Sequence, residues 1–292
     1  MNDAKRIELR ANGIDFVAYE QGTGPLLLCL HGFPDDASSF RHQIGPFAKA
    51  GYRVVVPYMR GYAPSGPAPD GNYQSANLGR DAVALIEALG ADKAVVFGHD
   101  WGAIAAYAAA LLAPHRIEKL VVAAVPYGIG FITNFLVNYR QLKRSWYIYF
   151  FQTAQAEAAV SANDFEFIRN LWLDWSPGWK FSDAEFEPVR ATFREPGVLE
   201  AALGYYRSML DPSRQDPALA AEQGAQHMMP IAVPSLYLHG ATDGCMGQEL
   251  LTGMDAMFPA GLRLKVVDGA GHFLHLEKPD VVNDMVLEFL RG

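Results

Sequence analysis

The residues best suited to chemistry in this sequence surround an aspartate, Asp100. The sequence Gly98-His99-Asp100-Trp101-Gly102 places a candidate nucleophile between two glycines, with an apolar run before it and an alanine-rich run after it. This pattern is typical of a sharp turn between a strand and a helix that exposes its central side chain. An aspartate at this place could also simply cap the helix N-terminus. The spacing favours the first interpretation, with Asp100 as the nucleophile.

An aspartate nucleophile favours attack on saturated carbon. Its reference pKa near 3.9 means that it is ionised at neutral pH and needs no base for activation. Attack on an ester would give a reactive anhydride, whereas attack on an epoxide or an alkyl halide gives a stable alkyl ester. Such an ester must then be hydrolysed by an activated water molecule.

Two further segments offer the groups that activate water. Residues 239–243 end at Asp243 and residues 268–272 end at His272, and each segment follows a predicted strand. A histidine oriented by a carboxylate can act as the general base. His272 alone could be a hydrogen-bonded surface histidine, but the chain order nucleophile, acid, histidine is that of α/β-hydrolases. We therefore predict a triad of Asp100, Asp243 and His272.

Backbone donors are expected to stabilise the oxyanion. One is the N–H of Trp101, directly after the nucleophile, and the other is the N–H of Phe33 in the loop that follows the first parallel strand. His31 lies in the same loop, where it could contact substrate, but a bracing role beneath the loop fits it better. His99 is interpreted as support for the turn.

The elements that must position these residues alternate between strand and helix. Residues 5–22 alternate in polarity around Asn12-Gly13, which predicts a β-hairpin. Apolar runs bounded by glycine and proline suit strands of a parallel sheet, and the alternation predicts an α/β fold with a mostly parallel central sheet and flanking helices. The predicted strands are Leu26–Leu30, Val54–Val56, Ala94–Phe97, Leu120–Val125, residues 234–240 and Leu262–Val267; the predicted helices are Gly79–Leu89, Gly102–Leu112 and Pro279–Leu290.

The alternation stops after Pro126, and the sequence becomes aromatic and helical until about Gln226. We predict a core domain of residues 1–126 and 227–292, interrupted by a helical cap domain of residues 127–226. The cap tryptophans, with Phe33 and Trp101, are expected to line an apolar pocket.

These motifs resemble the soluble epoxide hydrolases of the α/β-hydrolase fold, and the resemblance runs through nearly the whole chain. The family usually has Asp where this chain has Tyr58 and Gly where it has Ala63, and neither position belongs to the predicted triad. The resemblance rests on His31–Pro34, Phe40–Ile44, Ala50–Val54 and Met59–Tyr62.

The resemblance implies two cap tyrosines that donate hydrogen bonds to the epoxide oxygen. It points to Tyr147, five residues before a glutamine, and to Tyr206 in an aromatic-Tyr-Arg sequence, with Tyr149 and Tyr205 as alternatives. All could instead be core aromatics. The implied reaction converts a small hydrophobic epoxide and water into a vicinal diol through an ester on Asp100.

Two other functions remain open. Haloalkane dehalogenases share the Asp-Trp motif, but they typically carry an asparagine where this chain has Phe33. Many of them also carry an acidic residue after the strand that precedes the cap, whereas residues 123–126 of this chain contain none. Dehalogenases of the fluoroacetate type carry an arginine near the nucleophile, where this chain has Trp101. A hydrolase fold without activity, used for binding, is the third alternative.

Composition limits partners, compartment and cofactors. The net charge of -8 argues against nucleic acid, which needs a basic face. No apolar run reaches the roughly 18 residues of a membrane helix, and the N-terminus lacks a signal core.

Cys29 lies in an apolar run far from Cys245, which predicts no disulfide. His272 and His275 lie without the neighbours of a metal site, so we expect no metal or other cofactor. We expect a cytoplasmic protein, monomeric or homodimeric, without membrane partners.

Overall fold

A computed structural model describes residues 3–292 and contains an eight-stranded sheet. The sheet order is β1-β2-β4-β3-β5-β6-β7-β8; β2 pairs antiparallel with β1 and β4, and all other neighbours are parallel. The mostly parallel α/β fold is therefore confirmed. The strands are β1 (Lys5–Ala11), β2 (Ile14–Gln21), β3 (Leu26–Leu30), β4 (Arg53–Pro57), β5 (Ala94–His99), β6 (Ile117–Ala123), β7 (Ser235–Gly240) and β8 (Leu262–Val267).

Helices flank the sheet and fill the space between β6 and β7. They are α1 (Ile44–Lys49), α2 (Ser75–Ala88), α3 (Trp101–Leu112), α4 (Ile129–Val137), α5 (Tyr139–Arg144), α6 (Trp146–Phe150), α7 (Ala156–Trp175), α8 (Asp183–Arg194), α9 (Val198–Leu210), α10 (Ala220–Ala225), α11 (Leu274–Glu277) and α12 (Pro279–Arg291). Short 3₁₀ turns lie at Ala37–Phe40, Pro114–Arg116, Pro212–Arg214, Pro217–Leu219, Gln248–Leu251 and Met254–Met257.

The central strands bury both faces, as their continuous apolar sequences predict. Leu26, Leu28 and Leu30 of β3 join one hydrophobic layer, while Leu27 and Cys29 join the layer on the opposite side. Successive side chains of a strand point to opposite faces, so one apolar run supplies both layers. Hydrophobic layers on both sides of the sheet therefore hold the strands whose ends carry the site.

Several predicted elements differ from the structure in their bounds, and for two of them the structure shows the physical reason. The strand predicted to reach Val125 ends at Ala123, because Ala124 adopts a φ of 71°, which a strand cannot continue. The helix predicted from Gly79 begins at Ser75. Gly79 lies inside α2 because a Cβ there would come within 2.6 Å of the Ala108 Cβ on α3. The glycine marks a close helix contact and not a helix start.

The segment between β6 and β7 is helical, and within the described chain it holds no strand. Helices α4–α10 run from Ile129 to Ala225, inside the predicted range of residues 127–226. Helix α7 is broken at Ala162–Phe165, where three consecutive residues have positive φ. We call this segment the helical insertion; its division from the core as a separate cap domain stays a prediction.

Candidate active site

The predicted triad and oxyanion residues meet at the carboxyl edge of the sheet. Phe33 follows β3, Asp100 follows β5, Asp243 follows β7 and His272 follows β8. Because these strands are parallel, the loops after them open at the same edge, where ligands of open α/β sheets bind.

The turn at Asp100 has the strained geometry that exposes a nucleophile. Asp100 adopts φ 53° and ψ -119°, and α3 begins at the next residue. A Cβ on Gly102 would collide with the backbone oxygen of Leu30, and one on Gly32 would lie 2.5 Å from the Asp100 Cβ. Glycines at these two positions let β3, its loop and the nucleophile approach closely. Strain of this kind persists only where the surrounding structure enforces it.

The imidazole of His272 lies between the two carboxylates. Its Nδ1 is 3.0 Å from Asp243 Oδ2, and its Nε2 is 3.5 Å from Asp100 Oδ2. The other Asp243 oxygen accepts the backbone N–H groups of Cys245 at 2.7 Å and Met246 at 2.8 Å. These bonds fix the carboxylate so that it can hold the imidazole in one orientation.

The electrostatics of the site keep the His272 imidazole positively charged as long as Asp100 has not formed an ester. Burial pushes the pKa of His272 down, but the charges of Asp243 and Asp100 outweigh burial and raise the pKa to about 10. Burial also pushes the pKa of Asp243 up, and the positive imidazole more than compensates, so that this pKa is lowered overall. The site therefore stores an ion pair before any substrate binds.

One predicted oxyanion donor contacts the nucleophile directly. The Phe33 N–H donates to Asp100 Oδ1 at 2.7 Å, so that this oxygen already lies where an oxyanion could accept the same hydrogen bond. Trp101 starts α3, and its ring packs edge-to-face against Tyr206 with centroids 5.1 Å apart. Among residues 3–292, no hydrogen bond joins the Trp101 N–H to the Asp100 carboxylate in this structure, and its oxyanion role stays a prediction.

His31 has the contacts of a residue that braces the loop, the role that the sequence favours for it. Its Nε2 accepts the Met59 N–H at 3.0 Å, which leaves Nδ1 as the donor to the Gly32 oxygen at 3.0 Å. Both ring nitrogens are therefore held by backbone groups. His99 also supports the site, because its Nε2 lies 2.9 Å from the His272 carbonyl oxygen.

The two tyrosines implied by the resemblance lie against the core residues of the site. The Tyr206 ring packs on Phe33 with centroids 5.2 Å apart, and the Tyr147 ring lies 5.7 Å from that of Tyr206. Within residues 3–292, no group forms a hydrogen bond of normal geometry with the buried Tyr206 hydroxyl, although the Trp101 side chain approaches it closely enough to pull its pKa down. The Tyr147 hydroxyl lies 3.4 Å from Cys245 Sγ. Burial raises the pKa of both phenols, and the charge of Asp100 adds to this effect.

The alternative tyrosines are placed elsewhere. Tyr149 is half exposed on the surface, and the Tyr205 hydroxyl donates to the Arg60 carbonyl oxygen at 2.8 Å. The geometry therefore favours Tyr147 and Tyr206 over these two neighbours.

Of the cap tryptophans that the sequence places at the pocket, Trp175 contacts the site residues. Trp175 packs against the His272 ring with centroids 5.0 Å apart and also contacts the Phe33 ring. Trp172 and Trp179 stack on each other, and the Trp172 indole donates to the Pro34 oxygen. Trp146 is exposed because its helix lies at the surface.

Sequence reasoning missed two residues that hold the triad loops. The backbone oxygen of Trp175 accepts the N–H groups of both His272, at 3.0 Å, and Gly244, at 2.9 Å. Cys245 supplies a backbone donor to Asp243 and faces the Tyr147 hydroxyl. No sequence signal marks a carbonyl oxygen, but a cysteine two residues after the triad acid could have been noticed.

Asp243, Cys245 and His272 place potential metal-ligating atoms within 4.8 Å of one another. They do not suit a metal, because burial raises the pKa of the Cys245 thiol and keeps it protonated, while the raised pKa of His272 favours the imidazolium. Metal binding requires a thiolate and a neutral imidazole. Both cysteines are free and buried, which confirms that they form no disulfide.

Comparisons with known proteins agree with this architecture. Residues 25–279 match the family model of the alpha/beta hydrolase fold. Mouse epoxide hydrolase 4 is 32% identical over 98% of this chain and 79% of its own length, and the AB hydrolase superfamily protein YfhM of Bacillus subtilis is 31% identical over the full length of both chains. The crystal structure of an epoxide hydrolase from Bacillus megaterium, with an inhibitor, superimposes with a TM-score of 0.85 at 26% identity, covering 98% of this chain and all of the other.

The chain therefore belongs to the α/β-hydrolase-fold family of enzymes. Within that family its similarity is to the epoxide hydrolases, so that the resemblance noted from the motifs is confirmed. The prediction of a hydrolase is thereby confirmed over that of a binding protein. In the part of the chain that the structure describes, no helix is long and apolar enough to cross a membrane.

Proposed function

We propose that this enzyme hydrolyses epoxides to vicinal diols with Asp100 as the nucleophile. The observation that carries the proposal is a buried aspartate with an imidazole 3.5 Å away, beside the ring of a tyrosine whose buried hydroxyl forms no hydrogen bond of normal geometry within residues 3–292. A carboxylate can open the ring, a phenol can donate to the ring oxygen, and an imidazole can activate water. The aromatic side chains around them suit a small hydrophobic epoxide.

In the first half of the reaction, Asp100 Oδ2 attacks a ring carbon and the carbon–oxygen bond of the epoxide breaks. Tyr206 and Tyr147 donate to the developing alkoxide, and the His272 imidazolium supplies the proton, passed on through a tyrosine hydroxyl, that turns the alkoxide into the first hydroxyl of the diol. Burial raises the pKa of both phenols, so that they stay protonated and able to donate until the ring opens. Asp100 Oδ1 remains at the Phe33 N–H, which is 2.7 Å away.

In the second half, water attacks the ester carbonyl of Asp100. Ester formation removes the negative charge of Asp100, which is one of the charges that raise the pKa of His272. The imidazole, having given its proton to the first alkoxide, accepts one from the attacking water, with Asp243 stabilising the imidazolium that forms. The Phe33 N–H stabilises the oxyanion of the tetrahedral intermediate. Collapse of that intermediate breaks the ester bond, and the departing alkoxide takes the proton of the new Asp100 carboxyl group, which releases the diol and restores the Asp100 carboxylate.

The test is a panel of aryl and alkyl epoxides and alkyl halides, scored for both diol and halide. We expect diol from epoxides, because the loop after β3 carries Phe33 where halide-binding enzymes typically carry asparagine. Halide release without diol formation would replace the proposal by dehalogenation. Absence of both products over the whole panel would refute the proposed reaction.

Trapping the ester tests the mechanism itself. The variant His272→Gln should accumulate a species heavier by one substrate mass in intact-protein mass spectrometry, because the ring opens but the ester persists. Asp100→Asn should show neither the adduct nor prompt turnover. His42→Gln, which changes a surface histidine, is the matched control and should behave as the wild type. A substrate adduct that maps to another residue would exclude Asp100 as nucleophile.

A further inference from the structure

The helical insertion exposes an apolar surface to solvent, where a surface helix would normally be polar. Helix α4 has no buried residue, and its outward positions Ile129, Leu136 and Val137 follow helical spacing and are 54%, 58% and 71% exposed. The other side of α4 is occupied, because Phe131 stacks on His227 with ring centroids 4.7 Å apart. A surface helix normally turns a polar face to water. The outward face of α4 is therefore unpartnered.

The next two helices add basic and aromatic side chains to this surface. Arg140 and Lys143 of α5 are exposed, and Trp146 and Tyr149 of α6 are 46% and 47% exposed. Tryptophan and tyrosine are enriched where apolar and aqueous phases meet. We call the whole surface the apolar-basic face: Ile129, Leu136, Val137, Tyr139, Arg140, Lys143, Trp146 and Tyr149.

The charge of this segment is opposite to that of the chain. Residues 119–156 contain no aspartate or glutamate, although the protein carries 32 such residues and a net charge of -8. Arg144 pairs with Glu249 at 2.7 Å, and Asp174 borders the same surface cleft. Neither Arg140 nor Lys143 forms an ion pair within residues 3–292. A local positive charge is thus kept beside exposed apolar side chains.

We propose that the apolar-basic face docks the enzyme on the surface of a lipid bilayer that contains anionic lipids. A helix that lies in the membrane interface combines an apolar face with basic residues and aromatic anchors, and anionic headgroups attract the basic residues. The sequence predicts no membrane partner because no run is long enough to cross a bilayer, but a helix that lies on the surface needs no such length.

A second copy of the chain fits this face less well. In a twofold symmetric dimer the same patch meets itself, so that the positive charge of Arg140 and Lys143 would be doubled at the interface, and residues 119–156 offer no carboxylate to neutralise it. A bilayer surface offers opposite charge and apolar depth together.

The docked orientation would place a surface cleft at the membrane. The cleft has a volume of about 340 Å³, and Arg140, Lys143 and Trp146 line it at the surface. Trp175 lines the same cleft and packs against the His272 ring on its other side. An apolar compound dissolved in the bilayer would thus meet a cleft whose lining includes a side chain in contact with the triad histidine. Docking itself does not depend on the proposed reaction.

The experiment is co-sedimentation of the full chain with vesicles of phosphatidylcholine alone or mixed with phosphatidylserine. We expect binding to the mixed vesicles that falls with added salt. Arg140→Gln with Lys143→Gln should weaken it about fivefold for each charge removed, roughly 25-fold together. Leu136→Ser with Val137→Ser should weaken it by at least about tenfold. Circular dichroism should show that all variants remain folded.

Matched controls change exposed residues of the same types elsewhere. Lys49→Gln with Lys93→Gln, and Val281→Ser, should bind as the wild type does. Equal binding to both kinds of vesicle, equal losses in the control variants, or no binding would overturn the proposal. Sedimentation velocity tests the alternative that a second copy of the chain covers this face. If the wild type were a dimer and Leu136→Ser with Val137→Ser dissociated it, the face would be a dimer interface.

Discussion

The adjacent tyrosines Tyr205 and Tyr206 allow a sharp test, because the structure gives their hydroxyls opposite surroundings. The Tyr205 hydroxyl donates to the buried Arg60 oxygen at 2.8 Å, whereas the buried Tyr206 hydroxyl forms no hydrogen bond of normal geometry within residues 3–292. Replacing either by phenylalanine removes one oxygen atom and keeps the ring packing. The two variants should therefore separate stability from catalysis.

The magnitudes follow from these contacts. Tyr205→Phe removes a hydrogen bond and leaves a buried carbonyl unpaired, which should lower the free energy of unfolding by about 1–3 kcal/mol. Tyr206→Phe removes a buried hydroxyl that forms no hydrogen bond of normal geometry among the described residues, so the free energy of unfolding should be unchanged or higher by up to about 1 kcal/mol. Loss of a proton donor should instead lower kcat/KM of Tyr206→Phe about 100-fold.

Thermal unfolding and epoxide turnover of both variants are the measurements. We expect Tm to fall by about 2–4 °C per kcal/mol for Tyr205→Phe, with kcat/KM close to that of the wild type at 25 °C. Tyr206→Phe should show the reverse pattern. If Tyr205→Phe lost turnover while Tyr206→Phe kept it, the assignment of the ring-opening donor would be wrong. If Tyr206→Phe lost several degrees of Tm, its hydroxyl would have a structural partner.

Three further outcomes are expected. Gly32→Ala should reduce kcat by about 100-fold or more, because its Cβ would displace the nucleophile, while Gly45→Ala, with open space around its Cβ, should leave kcat unchanged; a normal Gly32→Ala enzyme would contradict this. Because folding raises the pKa of His272 to about 10, the protonated imidazole stabilises the fold fully below pH 6.5, and this stabilisation is lost as pH rises through 10. The Tm difference between wild type and His272→Gln should therefore shrink over that window. A constant Tm difference would speak against the raised pKa. Arg60→Met should cost about 3–5 kcal/mol in urea unfolding because it leaves a buried carboxylate unpaired, against less than about 1 kcal/mol for the exposed Arg10→Met; similar losses would refute the argument.

The sequence predicts the parts of this molecule that repeat a strict pattern. Parallel strands need continuous apolar runs, and the nucleophile turn needs glycines on both sides of Asp100, so both can be located from residue types alone. The order of Asp100, Asp243 and His272 along the chain then suggests their convergence, because the loops after parallel strands open at one edge. The structure brings these residues within 3.5 Å or less of the central imidazole.

Other features depend on tertiary contacts that leave little trace in sequence. The break in α7 at Ala162–Phe165 carries no proline or glycine, so a single long helix is the natural expectation there. The exposure of α4 is equally hidden, because an apolar helix normally predicts a buried one. The sequence favours a bracing role for His31, but it cannot name the partners, which are the backbone groups of Met59 and Gly32.

The carbonyl oxygen of Trp175 has a consequence for how this enzyme could be redesigned. It ties the end of α7 to the loops of both His272 and Gly244, so that any displacement there would misalign acid and base together. The insertion thus has a clamped portion that works as part of the catalytic frame. Helix α5 is tied to the same region, because the Gln141 side chain donates to the Cys245 carbonyl oxygen at 2.9 Å and accepts the Gly247 N–H at 3.0 Å, and α6 carries Tyr147. Among the described residues, α4 has no hydrogen bond to these loops. Libraries that aim at new selectivity should therefore vary α4 and leave the clamped helices untouched.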